Sequence, residues 1–401
     1  MPVFEPFRAL RYDLTRVDLA DVAAPPYDVI DDRDRAALVA RHPQNAVRID
    51  LPVDEAGEDR YAVAARLLSE WQAEGILRRD EAPTFTIYRM SFVDDAGTPR
   101  RTTGVLGALE LSRPDEGEIL PHEQTTKKAK SDRLDMLRSC RGNLSAIWSL
   151  SLAKGLTDLL PTDAAPDAEW TDDDGVTHTV WTTDDPVVCA AITEAVGAHP
   201  VLIADGHHRY ETSLAYRDEQ REAAGGDAGG AERTLMYVVE LVEDELTVRP
   251  IHRLLSGLPA DIDLVESLAD WFTITDAGTV DDTVSARMEA AGALCLVEPD
   301  RASFLAPRPD AFNGVRDLDS VRLDAACASL PDHELTFQHG VDRVVEAVQS
   351  GRAQAGVLLR PATVAQIEST HHGERMPAKT TFFHPKVKTG IVFHLFDEVG
   401  G

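Results

Sequence analysis

Apolar positions along the chain change their spacing repeatedly, and each change marks an element. Val201–Ala204, "VLIA", is a short branched apolar run of the kind a buried strand needs. After Asp205 and Gly206 the spacing becomes helical: Leu214 and Ala215 follow Tyr210 by one turn, charges take over, and Gly225-Gly226 stops the run. Residues Asp205–Arg209, "DGHHR", therefore lie at a strand-to-helix turn. Upstream, Asp31 is placed to cap a helix through "RDRAALVARH", and "NAVRIDLP" reads as a strand. Val63, Leu67, Leu68 and Trp71 keep helical spacing. "TFTIYRMSFV" and "RTTGVLGALEL" alternate as an antiparallel pair joined by "DDAGTP". A helix from about Asp132 and a strand ending near Leu152 come next, then an acidic stretch, Pro161–Gly175, that reads as a surface excursion, and a helix near Pro186–Val196.

"RTLMYVVELV" and "LTVRPIHRLL" predict a hairpin of strands. From about Asp261 helices and strands alternate, and a proline-punctuated polar loop precedes a last apolar strand. No internal repeat is visible. The pattern predicts a mixed α/β (α+β) protein in three regions, 1–110, 111–260 and 261–401, and 401 residues suffice for two or three cores.

Composition narrows the setting. No run of 18 uncharged apolar residues exists and no basic-then-apolar leader opens the chain, so the expectation is a cytoplasmic protein without a membrane partner. A net charge of −29 opposes binding to nucleic acid or anionic membrane, and it suits a high-salt, halophilic cytoplasm. Cys140, Cys189, Cys295 and Cys327 lie far apart, which fits buried thiols rather than a disulfide framework or zinc site. Lysine is scarce, seven against 33 arginines, yet six fall in two clusters: Lys127, Lys128 and Lys130, and Lys379, Lys386 and Lys388. Both clusters are candidates for facing one bound anion; the plainer reading is surface ion pairs.

Candidate chemistry concentrates in loops. At the turn, Gly206 lets backbone approach a ligand, the first helix amides with Arg209 suit a phosphate, and His207 and His208 add donors or a proton shuttle. The alternative is an Asp cap with histidines packed on the sheet. "LPHEQTTKKAKSDRL" carries His122, Glu123, Thr125, Lys130, Asp132 and Arg133 on a loop entering a helix; a carboxylate there could take a hydroxyl proton while lysines steady a phosphoryl group. A solvated loop capped at Ser131 is the bland counterpart. "GERMPAKTT" nearly spells a phosphate loop, but Ala378 replaces its second glycine and Pro377 opposes the geometry. Lys379, Thr380, Thr381 and Lys386 are better candidates as a second set of phosphate contacts. His252-Arg253 ends a strand and is a further candidate pair.

Taken together, "APPYDVI", "HPQNAVRIDLP", "LPHEQTTKKAKSDRL", "NLSAIWSL", "ADGHHRYETSLAY", "PIHRLL" and "MPAKTTFFHPKVKTG" resemble the DUF1015 family in order along the chain. The strand–DGHHR–helix unit also resembles the ParB/sulfiredoxin fold, which implies a core of that kind with N-terminal and C-terminal additions. Within it the nearest likeness in kind is to free serine kinases, which implies ATP- or ADP-dependent phosphotransfer to L-serine or a similar hydroxylated metabolite, with Mg2+ on the phosphates. The resemblance implies Glu123 as base, Asp205 as catalytic or metal-facing acid, His207 as a further catalytic group, and Gly206, His208 and Arg209 as phosphate contacts. His207 stands where sulfiredoxins carry their reactive cysteine, which excludes that chemistry. The chain departs from the kinases by a segment inserted from about Ala153 to Pro200, so Glu123 is matched by order and motif rather than spacing. The alternative function is a non-catalytic nucleotide-binding switch, as in ParB partition proteins; its DNA partner would need a basic face that this acidic chain does not advertise.

Overall fold

The computed structural model describes residues 1–94, 97–122, 130–372 and 375–396, side chains at 130, 131, 371 and 372 excepted. The chain is mixed α/β and divides into two compact units, Met1–Thr247 with Pro385–Gly401, and Val248–His384.

A nine-stranded sheet organises the first unit. Its strands are β1 (Phe4–Glu5), β2 (Phe85–Val93), β3 (Pro99–Glu110), β4 (Ile119–Pro121), β5 (Ile147–Ser151), β6 (Ala168–Thr171), β7 (Thr177–Thr183), β8 (Val201–Asp205) and β9 (Arg233–Glu240). They are ordered β4-β8-β5-β9-β3-β2-β7-β6, with β1 paired to the end of β3. The expected hairpin of β2 and β3 forms, in register from Thr86 opposite Leu106 to Val93 opposite Pro99. β8 runs parallel to β4 and antiparallel to β5, while β9 runs parallel to β5. Phe4, Ile87, Val105, Ile147, Ile203 and Val238 belong to one buried cluster, as strands in mid-sheet require.

Helices of this unit follow their caps. α1 (Asp32–Arg41) begins at Asp31, whose side chain accepts from the Asp34 amide in a capping box. α2 (Val47–Asp50), α3 (Arg60–Ala73), α4 (Lys130–Cys140), α5 (Pro186–Gly197) and α6 (His207–Ala224) follow. α5 starts on an Asp185 cap, and α6 stops at Gly225 in the left-handed region. The four cysteines are buried, and burial pushes the Cys140 thiol up to about 12.

Two local expectations need correction, the strand at "NAVRID" and the hairpin after Arg233. "NAVRID" turns into the helix α2 instead of a strand, because Asn45 Oδ1 accepts from the Val47 amide at 3.0 Å and starts a turn. Pro161–Gly175 is largely exposed, as a surface excursion should be, and includes the edge strand β6, held by its register with β7. The hairpin expected after Arg233 does not form: β3 and β5 occupy both edges of β9, and "LTVRPIHRLL" breaks around Pro250 into Thr247–Pro250 and a strand of the second unit. For the same reason residues 1–110 and 111–260 share one sheet, since β3 bonds to β9 across the expected divide.

In the second unit, β10 (His252–Ser256), β11 (Phe272–Asp276), β12 (Leu294–Val297), β13 (Ala302–Pro307), β14 (Glu334–Gln338) and β15 (Ala355–Leu358) form an antiparallel sheet ordered β11-β13-β12-β15-β10-β14. Leu254 and Leu255 point into different apolar clusters, one on each face. No helix among the described residues is long and apolar enough to cross a membrane.

Candidate functional site

β8 ends in the interior of the sheet, and its register against β5 shifts between Ile203 and Asp205. Such a bulge re-aims the side chain at a strand end. Gly206 then takes φ +89°, which lets the chain turn directly into α6; a Cβ there would come within 2.9 Å of the Arg209 guanidinium. This 18-residue helix has Gly206 as its N-cap, which brings no capping side chain of its own. Its first amides lack intrahelical partners and carry the positive end of the helix dipole. The helix start is fixed from behind by buried Tyr210, whose hydroxyl donates to the Ser112 carbonyl at 2.7 Å.

Asp205 is held from two sides. Lys386 Nζ lies 2.8 Å from one carboxylate oxygen and Arg209 Nη2 lies 2.8 Å from the other. Burial would raise this carboxyl, but Lys386 and then Arg209 outweigh it and hold Asp205 well below the usual carboxylate range. Arg209 itself is buried and donates its other terminal nitrogen to the Ala146 carbonyl. Its guanidinium therefore orients Asp205 and ties α6 to the segment before β5.

His122 and His207 meet beside this triad with ring centroids 5.0 Å apart. His122 is buried and its Nδ1 donates to the Ile203 carbonyl at 2.5 Å, which leaves Nε2 as the accepting nitrogen of the ring. Burial lowers its pKa to about 4, so it is neutral at pH 7. His208 occupies the first turn of α6 next to it.

Behind Arg209 lies a cavity of about 40 Å³, walled by Asp50, Arg133, Ser145, Thr212 and Ser213 as well as Arg209. That is room for a few waters. Arg133, on α4, donates to Asp132 at 3.0 Å and to the Asp50 carbonyl at 2.9 Å, and it stacks 3.9 Å over the Tyr27 ring. Asp50 accepts from the Thr389 hydroxyl at 3.1 Å; burial pushes its pKa up against the pull of Arg133 and Arg209.

Asp205, Gly206, His207, His208, Arg209, His122 and Lys386 thus gather at one turn, with Asp132 and Arg133 behind it. Glu123 and Thr125 lie outside the described residues, as does the side chain of Lys130. Lys379, Thr380, Thr381, His252 and Arg253 belong to the second unit. There Lys379 is exposed with φ +63°, the Thr380 hydroxyl donates to the Pro377 carbonyl at 2.8 Å, and Thr381 opens the strand Thr381–His384. His252 accepts from the Leu359 amide at 3.2 Å, and Arg253 donates to the Ile251 carbonyl at 2.6 Å. Sequence reasoning passed over Asp50, Tyr27 and Thr389, although a lone Asp after the apolar "AVRI" was a usable signal.

Both oxygens of Asp205 are taken by cations, and among the described residues no three His, Cys, Asp or Glu side chains converge. The described residues do not fit a protein-held metal.

No curated protein matches the sequence. Solved structures with a similar chain course include a free serine kinase in complex with AMP, at 14% identity over 72% of this chain and 91% of that chain, with a TM-score of 0.36. A conserved hypothetical protein from Pyrococcus furiosus is similar at 13% identity over 72% and 95%, TM-score 0.34. A C-terminally truncated SbnI from Staphylococcus aureus is similar at 12% identity over 72% and 86%, TM-score 0.38. The family model described as protein of unknown function, DUF1015, matches residues 4–325, so the chain belongs to the DUF1015 family.

Proposed function

We propose that the Asp205 turn binds the phosphates of a nucleotide and that the protein transfers a phosphoryl group from ATP or ADP to the hydroxyl of a small metabolite, L-serine being the first candidate. The observation that carries this reading is the glycine-started N-terminus of α6 beside Lys386, a primary ammonium delivered to the turn at a strand end. Helix amides and a nearby cation together make an anion site. Asp205, held in its ionised form, keeps the Lys386 side chain at the turn. His207 and His208 on the first helical turn supply further donors to phosphate oxygens. The ParB/sulfiredoxin-like character of this core is part of the same proposal.

In the transfer, the acceptor oxygen forms a bond to the terminal phosphorus as the bond to the leaving nucleotide oxygen breaks. The hydroxyl proton passes to a base, for which Glu123 is the candidate by its place in the sequence. Magnesium would arrive on the nucleotide phosphates, where it is commonly held with few protein ligands.

The test is a transfer screen: purified full chain, magnesium, ATP or ADP, and a panel of hydroxyl metabolites, read by mass spectrometry. Magnesium-dependent appearance of a phosphorylated metabolite supports the reading. Absence of any phosphorylated product across the panel with either nucleotide counts against it.

A further inference from the structure

The segment Pro385–Thr389, "PKVKT", returns to the first unit and engages three carboxylates that are far apart in sequence. Lys386 reaches Asp205 at the end of β8, Lys388 reaches Asp172 before β7, and Thr389 reaches Asp50 at the end of α2. The Thr389 backbone is fixed as well, by reciprocal bonds with Ala24 at 2.8 and 3.0 Å. Of these anchors, the one at Lys388 has no part in the site described above.

Its surroundings are built for rigidity. Lys388 Nζ sits 2.6 Å from Asp172 Oδ2, with both side chains nearly buried. Asp172 Oδ1 accepts from the Asp174 and Val176 amides, each at 3.0 Å. His178 Nε2 donates to Asp172 Oδ2 at 3.0 Å, and His178 Nδ1 accepts from the Tyr88 hydroxyl at 2.7 Å. Trp170 stacks on the His178 ring with centroids 4.9 Å apart, and the Tyr237 hydroxyl donates to the Tyr88 carbonyl at 2.8 Å. The carboxylate that receives Lys388 is therefore tied into the middle of the sheet through β7, β2 and β9.

We infer that Lys388 and Asp172 are positioning residues for Lys386: their ion pair, with Thr389 behind it, pins the strap on which Lys386 rides and so sets its ammonium at the Asp205 turn. A lysine side chain has many rotamers, and holding its tip at one point costs conformational entropy. Anchoring the backbone just beyond Val387 removes part of that freedom before the Lys386 side chain is placed. The inference rests on the phosphate-binding reading only for the use made of Lys386.

Lysine acylation reads the strap without any nucleotide, so its failure and a failed transfer screen remain distinct. The folded full chain is treated briefly with an amine-acetylating reagent, and modification at Lys386 is measured by peptide mass spectrometry against exposed Lys154. In Lys388→Met, Lys386 should be acetylated roughly tenfold faster relative to Lys154, since local opening governs access to a tied-down side chain. If that variant fails to fold because Asp172 loses its cation, Lys388→Met/Asp172→Asn removes both charges and should show the same rise. Lys388→Arg keeps the pair and should stay within about twofold of wild type. Unchanged Lys386 labelling in the double variant overturns the inference. So does a rise in Lys388→Arg as large as that in Lys388→Met.

Discussion

Replacing Lys386 by methionine keeps most of the side-chain volume and removes one charge, so it isolates the ammonium's work at Asp205. At 2.8 Å, two unit charges attract by about 6 kcal/mol at an effective dielectric of 20. The net loss is smaller, because Arg209 still holds the other oxygen and solvent reaches 22% of the Asp205 side chain. The cost is then about 2–3 kcal/mol at pH 7, and the Asp205 pKa rises toward its ordinary value. The sign with pH follows. In the wild type the folded carboxyl is depressed below its unfolded value, so its contribution is present above about pH 4 and is lost as pH falls toward the folded pKa. With Lys386 gone that depression shrinks, and wild type and variant should converge in acid. Urea unfolding at pH 7 and pH 3 measures both numbers. A difference below about 0.5 kcal/mol at pH 7 would refute the argument, as would an equal difference at the two pH values.

Gly206→Ala should destabilise by about 1–3 kcal/mol, because φ +89° is strained for alanine and its Cβ meets an Arg209 guanidinium that Asp205 and Ala146 hold in place; urea unfolding measures it, and a neutral result would mean the turn relaxes freely. His122 protonates near 4 when folded and near 6.5 when unfolded, so between those values the unfolded chain binds more protons and stability falls as pH drops, by about 3 kcal/mol in all. His122→Gln should lose that part of the slope between pH 6.5 and 4.5, and a variant with the wild-type slope would show that His122 is not held neutral. Asp50→Asn should cost about 1–3 kcal/mol, since it withdraws the buried counter-charge of Arg133; thermal melts check this, and an unchanged melting temperature would mark the pair as inert. Glu123→Gln should slow phosphoryl transfer by about 10²–10⁴ while nucleotide affinity stays near normal, and wild-type turnover would place the base elsewhere.

The parts legible in the sequence are those whose partners lie nearby. The strand, glycine turn and helix around Asp205 are written in a change of apolar spacing, and the β2–β3 pair in two alternating segments about one short loop. What could not be read is set by distant partners. Lys386 is separated from Asp205 by 181 residues, and no local pattern says that the chain leaves for a second unit and comes back to deliver it. "NAVRID" alternates like a strand, yet a single Asn45 hydrogen bond redirects it into a helical turn that places Asp50 beside Arg133. β9 and the segment after it look like hairpin partners in isolation; the sheet decides otherwise because β3 and β5 offer β9 two full edges. The lysine clusters stand out only because the rest of the chain prefers arginine, and that bias says nothing of which carboxylate each lysine meets.

The central claim, that the Asp205 turn binds nucleotide phosphates, is tested most directly by calorimetric titration of adenosine, AMP, ADP and ATP into wild-type protein and Lys386→Met. The account predicts affinity that rises with phosphate number, with adenosine weakest, and a loss of about ten- to hundredfold for ADP in the variant, the worth of one charge-assisted contact of about 1.5–3 kcal/mol. Equal affinity for adenosine and ADP, or full ADP affinity in a folded Lys386→Met protein, would contradict it.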